Sequence, residues 1–137
     1  MDHLKKRHAT VAKTLQALEK RINTPVDEDN FDVYEMARES LIQRFEYTVD
    51  TFWKFIKLYL EHVQKITLDI ASPRGILRAA TEAQIISREE LEQLLVAITD
   101  RNLSSHAYDE ELAEQVSARI PEHYAVINTI FKRLLIE

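Results

Sequence analysis

Apolar residues recur along this chain at three- and four-residue steps, and almost nothing interrupts them. Leu4, Val11, Leu15, Leu18 and Ile22 follow steps of seven, four, three and four, which stacks them on one stripe of a first helix. Asn23-Thr24-Pro25 ends that helix, and an acidic connector runs from Val26 to Asn30. A long second helix is predicted from Phe31 to about Thr67, with Asp29 or Asn30 as its N-cap. Tyr34, Leu41, Phe45, Phe52, Tyr59 and Val63 mark its face, which Thr48, Val49, Phe55 and Ile56 widen. So broad an apolar face needs more than one neighbour, and part of it also suits a subunit interface. Ser72-Pro73 reads as an N-cap followed by a proline at the first helical position, opening a short helix to about Ala83. Ser87-Arg88-Glu89-Glu90 has the form of a capping box, and Leu91, Leu94, Leu95 and Ile98 continue inward from it. Asp109 is the expected N-cap of a last helix carrying Leu112, Val116, Ile120, Tyr124, Ile127, Phe131 and Leu134, which Pro121 should kink or split. The pattern predicts an all-α protein: a four-helix up-and-down bundle with an additional short helix between its second and third long members.

Composition agrees with that reading and narrows the chemistry. One Gly and three Pro leave few places for the turns of a β-rich fold. A chain of 137 residues, 45% hydrophobic and 30% charged, reads as a single domain over 1–137 with a self-sufficient core. The absence of cysteine removes disulfides, thiolate catalysis and cysteine-based metal centres. No apolar run is long enough to span a membrane. Residues 1–13 lack the continuous apolar segment of a secretory signal, so a cytoplasmic location is expected. The formal net charge of -5 argues against a general nucleic-acid binder, because sequence-independent affinity comes mainly from Lys and Arg on phosphates. Residues 1–60 hold ten basic and ten acidic groups and residues 61–137 eight and thirteen, so the acidic excess lies in the second part. That surface suits a more basic protein partner.

The segment with most chemistry is Arg101-Asn102-Leu103-Ser104-Ser105-His106-Ala107-Tyr108. It places a permanent cation, a proton carrier that titrates near neutrality and a phenol within eight residues. On a straight helix Arg101 and His106 would sit about 140° apart. Asn102, Ser104, Ser105 and Asp109 are cap and turn residues, however, so a bend between two helices can bring the pair together. RNA cleavage needs a base for the 2′-hydroxyl, an acid for the leaving oxygen and positive charge on the phosphate. One chain supplies half of that set, and a symmetric homodimer with two such segments face to face would supply all of it without a metal. The plainer reading pairs Arg101 with Asp100 or Asp109 and leaves His106 as a helix cap. His3, His8, His62 and His123 have no partner at a ligand-like spacing, and Glu110, Glu111 and Glu114 read as solvated helix-terminal charge.

The motif RNLSSHAY resembles that of HEPN toxins from bacterial toxin-antitoxin operons, a group also called nucleotidyltransferase substrate-binding proteins. LIQRFEYTVDTFWKFIKLYLE at 41–61, SPRGILRAA at 72–80 and RNLSSHAYDEELAE at 101–114 follow the order of that family. The resemblance implies a helical homodimer in which Arg101 and His106 are the catalytic residues of a metal-independent endoribonuclease, with Asn102 in support. It implies RNA as substrate, no cofactor, and a cognate MNT-type nucleotidyltransferase antitoxin that silences the toxin by transferring AMP to Tyr108. The alternative is a non-catalytic nucleotide- or substrate-binding subunit of a two-component nucleotidyltransferase. A third reading is a structural bundle that assembles through Phe45, Phe52 and Trp53.

Overall fold

The computed structural model describes residues 2–106 and 109–136. Among them run helices α1 (Asp2–Asn23), α2 (Phe31–His62), α3 (Pro73–Glu82), α4 (Arg88–Leu103) and α5 (Glu110–Arg133), with a 3-10 turn at Ser104–His106 between the last two. There is no strand among the described residues. The four long helices form the bundle: α2 packs on α1, α4 and α5, and α5 also meets α1 and α4. The short α3 lies across α2 and α4, as expected of an insertion between the second and third long helices.

Each helix from α2 onward begins where a side chain can satisfy its first free amides. Asn30, Ser72, Ser87 and Asp109 accept hydrogen bonds from the backbone N–H of Val33, Gly75, Glu90 and Leu112. At Ser87 the box is reciprocal, since Glu90 also accepts from the Ser87 N–H at 2.9 Å. The helix ends were harder to anticipate. Helix α2 stops at His62 rather than near Thr67, although the following residues carry no breaker. Lys65 turns left-handed at φ 56°, and the Ile66 N–H closes back on the Leu60 carbonyl at 3.0 Å. Gln84 plays the part usually taken by glycine after α3, at φ 64°. The Gln84 and Ile85 amides there satisfy the Thr81 and Ala80 carbonyls at 3.0 and 3.1 Å. Pro121 neither ends nor splits α5, which runs on to Arg133. The proline leaves the Ser117 carbonyl without its usual amide, and the buried Ser117 hydroxyl has no hydrogen-bond partner among the described residues.

The predicted stripes form the core. Leu4, Val11, Leu15 and Leu18 are buried from α1, and Phe45, Phe52, Phe55 and Ile56 from α2. Ile76 and Leu77 come from α3, Leu94 and Ile98 from α4, and Val116, Ile120, Ile127 and Phe131 from α5. Each fully buried side chain of this size contributes about 1.5–3 kcal/mol relative to exposure. His8 is one of the joints, its ring 4.6 Å from Phe131 and 5.7 Å from Phe55. Glu114 is more than solvated terminal charge: it accepts from the Tyr34 hydroxyl at 2.6 Å and from the buried Arg38 at 2.8 Å, tying α5 to the start of α2. Tyr124 donates to Glu19 of α1, and burial together with that carboxylate pushes its phenol up to about 12.

Candidate functional site

Two consecutive residues in the last turn of α4 face opposite neighbours, and both are held by charge. Arg101 turns to α2. Its Nε and one terminal nitrogen donate to the two oxygens of Asp50 at 2.9 and 3.0 Å, and the other terminal nitrogen donates to Glu46 at 2.9 Å. Glu46 and Asp50 are four apart, so they lie on one face of α2. The Ser104 hydroxyl lies 2.6 Å from both Glu46 and the Arg101 carbonyl, fastening the first residue of the 3-10 turn to the same acid. The hydrogen bonds to Asp50, and behind them the two negative charges, hold Arg101 above the ordinary guanidinium range. Neither Asp100 nor Asp109, the partners suggested by proximity in sequence, takes that role.

Asp100 turns to α5. It is buried and receives a fork from Arg119, with both nitrogens at 2.8 Å, while His123 Nε2 lies 2.6 Å from one carboxylate oxygen. Burial by itself would raise the Asp100 carboxyl, but the Arg119 fork and the His123 hydrogen bond outweigh it, and the net direction is downward. His123 is 4% exposed and stacks on Phe45 with ring centres 5.4 Å apart, so this network reaches the middle of the bundle. His123 had no partner within its own helix, and the carboxylate it meets comes from another. The C-terminal turn of α4 is thus pinned from both sides by arginine-carboxylate forks, the strongest and most directional of side-chain pairings.

Past that turn the chain makes the expected bend. Ser104–His106 form the 3-10 turn, His106 is exposed, and its carbonyl accepts the Asp109 N–H at 3.0 Å as α5 is capped. Arg101, Asn102 and Ser105 line an open cavity of about 470 Å3 completed by Asp50, Trp53 and Lys54 of α2 and Pro73 at the start of α3. The structure therefore brings Arg101 and Asn102 together in one cavity and sets His106 on the exposed end of the turn just beyond it. Tyr108 lies outside the described residues. Among the described residues no cluster of three or more His, Asp and Glu side chains is arranged to hold a metal ion, and no helix is long and apolar enough to cross a membrane.

Glu46, Asp50 and Arg119 were not singled out from the sequence, and Asp100 and His123 were not read as partners. Their signal was present as two pairs at four-residue spacing, 46 with 50 and 119 with 123, each placing two polar groups on one face of a helix.

Residues 6–135 match the family model described as nucleotidyltransferase substrate binding protein like. The crystal structure of a Thermus thermophilus protein is 31% identical, with a TM-score of 0.78, and the alignment covers 92% of this chain and 99% of that one. A toxin-antitoxin structure with AMP-PNP is 14% identical at a TM-score of 0.74, covering 98% and 99%. A tri-AMPylated Shewanella oneidensis HEPN toxin in complex with its MNT antitoxin is 14% identical at 0.73, covering 96% of each chain. At that identity the last two show a shared fold. No curated protein matches the chain. With the family model spanning nearly its whole length, the chain belongs to the nucleotidyltransferase substrate binding protein like family.

Proposed function

We propose that this protein is a HEPN toxin, a metal-independent endoribonuclease whose site is completed when two copies of the single-domain chain pair about a two-fold axis. The observation that carries the reading is Arg101, oriented by a carboxylate fork at the wall of an open cavity, with an exposed His106 five residues on. A guanidinium has five N–H groups. Three of them are used on Asp50 and Glu46, which leaves one on each terminal nitrogen for a phosphate. In the reaction one His106 takes the proton of a 2′-hydroxyl as that oxygen attacks phosphorus. His106 of the second copy gives a proton to the departing 5′-oxygen as the P–O bond breaks. Arg101 offsets the charge on the crowded phosphate, and Asn102 supports it from the cavity wall. The products are a 2′,3′-cyclic phosphate and a 5′-hydroxyl, and no divalent ion enters.

Silencing follows from position. Tyr108 is two residues beyond His106, and a cognate nucleotidyltransferase antitoxin would direct its phenol oxygen at the α-phosphorus of ATP, releasing pyrophosphate. The new phosphodiester is a bulky anion beside the place the substrate phosphate must occupy. The fold shared with an AMPylated HEPN toxin supports this reading. A second reading, a non-catalytic nucleotide- or substrate-binding subunit, draws on the family description and on the two carboxylates that already neutralise Arg101.

Purified protein free of its partner separates the two. RNA should be cut equally with and without EDTA, and His106→Ala should lower the rate by at least about 100-fold, the lower end for general acid-base groups. Intact RNA at all protein concentrations would favour the binding subunit. With the partner and ATP, AMP mass should appear on the Tyr108 peptide and be absent from Tyr108→Phe.

A further inference from the structure

The cavity beside Arg101 has a wall that phosphate chemistry does not use. Trp53 packs partly against the core, and its remaining surface faces the cavity. The exposed Lys54 ammonium stands 5.9 Å from the centre of its ring, on a stem free to swing. The Asn102 amide is exposed and makes no hydrogen bond among the described residues, so it offers both a donor and an acceptor. Ser105 donates to the main-chain carbonyl of Asn102 at 2.8 Å, leaving its own lone pairs toward solvent. At about 470 Å3 the space lies within the range of small-ligand sites. An aromatic face, a mobile cation and an unengaged amide grouped around a fixed guanidinium form a set suited to a nucleotide: the base stacks, the amide meets its edge and the cations meet the flanking phosphates.

We infer that Trp53, Lys54 and Asn102 form a base-stacking subsite that seats one nucleotide of single-stranded RNA next to the phosphate held by Arg101. This rests on the reading that the Arg101 cavity receives an RNA strand. It makes Trp53 and Asn102 residues that position substrate and set its preference, separate from His106 and its proton transfers.

Trp53 is the only tryptophan in the chain, so its emission reports this wall alone. Titrating the full-length protein with an all-deoxy hexamer of adenylate, which lacks the attacking hydroxyl, should quench that emission saturably. By anisotropy of a labelled hexamer, Trp53→Ala should weaken binding about 5- to 150-fold while Trp53→Phe stays near wild type, in keeping with the strength of base-aromatic stacking. Because Trp53 also packs on the core, Lys54→Ala at an exposed position provides a second measurement. It should lower the slope of log affinity against log salt by about 0.7, the loss of one contact to a single strand. Absent quenching, or AMP binding as tightly as the hexamer, would overturn the subsite. Cleavage without quenching would remove the subsite and leave the ribonuclease standing, whereas quenching without cleavage would keep the subsite and remove the ribonuclease.

Discussion

Asp100→Ala tests how the last turn of α4 is held, and its cost can be worked from the contacts. The carboxylate is 2% exposed and accepts three hydrogen bonds, two from Arg119 and one from His123. Arg119 has 40% of its side chain in solvent, so on losing Asp100 it turns to water, and its two bonds count for about 1 kcal/mol between them. His123 cannot do the same, because its side chain is 6% exposed and stacked on Phe45. Its Nε2 is left buried without a partner, a penalty of about 1–3 kcal/mol. The sum is about 2–4 kcal/mol, or a fall in Tm of roughly 8–16 °C for a chain between the small and medium size classes. Thermal and urea melts measure it. The acid limb carries a sign. The Asp100 carboxyl is depressed in the folded state, so its contribution is complete above the unfolded carboxylate range and disappears as pH falls through the folded value. The gap between wild type and Asp100→Asn should therefore narrow as pH falls below about 4. A cost under about 0.5 kcal/mol, the level of an ordinary surface change, would refute the view that this pair fixes the α4 terminus.

Three further outcomes follow from named contacts. Ser87→Ala removes one arm of the capping box and should cost about 1 kcal/mol in chemical denaturation, with the m-value unchanged. Gly75→Ala should destabilise, despite alanine's better helix propensity. Its Cβ would come within 2.3 Å of Ile70 Cγ2 and 2.8 Å of the Ser72 hydroxyl that caps α3, and a Tm at or above wild type would show that both move aside freely. Glu46→Gln removes one of two negative charges from Arg101 and should tighten binding of the uncleavable hexamer about fivefold, equivalent to about 1 kcal/mol. Weaker binding by anisotropy would mean that Glu46 serves Arg101 by holding it in place.

The fold was legible in the sequence wherever a local rule decided the outcome. Asn30, Ser72, Ser87 and Asp109 cap as their side chains demand, and the three- and four-residue stripes are the buried ones. The misread places were decided by tertiary structure. Nothing in Lys65 requests a left-handed turn, so the end of α2 could not be read five residues early. Pro121 was expected to kink or split α5, and the split does not occur, α5 staying one helix packed against α1, α2 and α4. For the site, the motif spans the bend between α4 and α5, while periodicity could not say which neighbour Arg101 would choose. Asp100 was the nearest acid in sequence, yet adjacent residues on a helix point in different directions, and α2 offered two carboxylates four apart. That pair sits inside the 41–61 segment that carried the family resemblance.

The claim underlying the proposed chemistry is that each site needs an imidazole from two chains, and subunit mixing measures this directly. Wild-type and His106→Ala chains, unfolded, combined in equal amounts and refolded together, pair at random. If both imidazoles are required, RNA cleavage should fall to about one quarter of that of the same total of wild-type protein, the share of dimers with two intact chains. If one chain suffices, about one half will remain, and the two-copy site is contradicted.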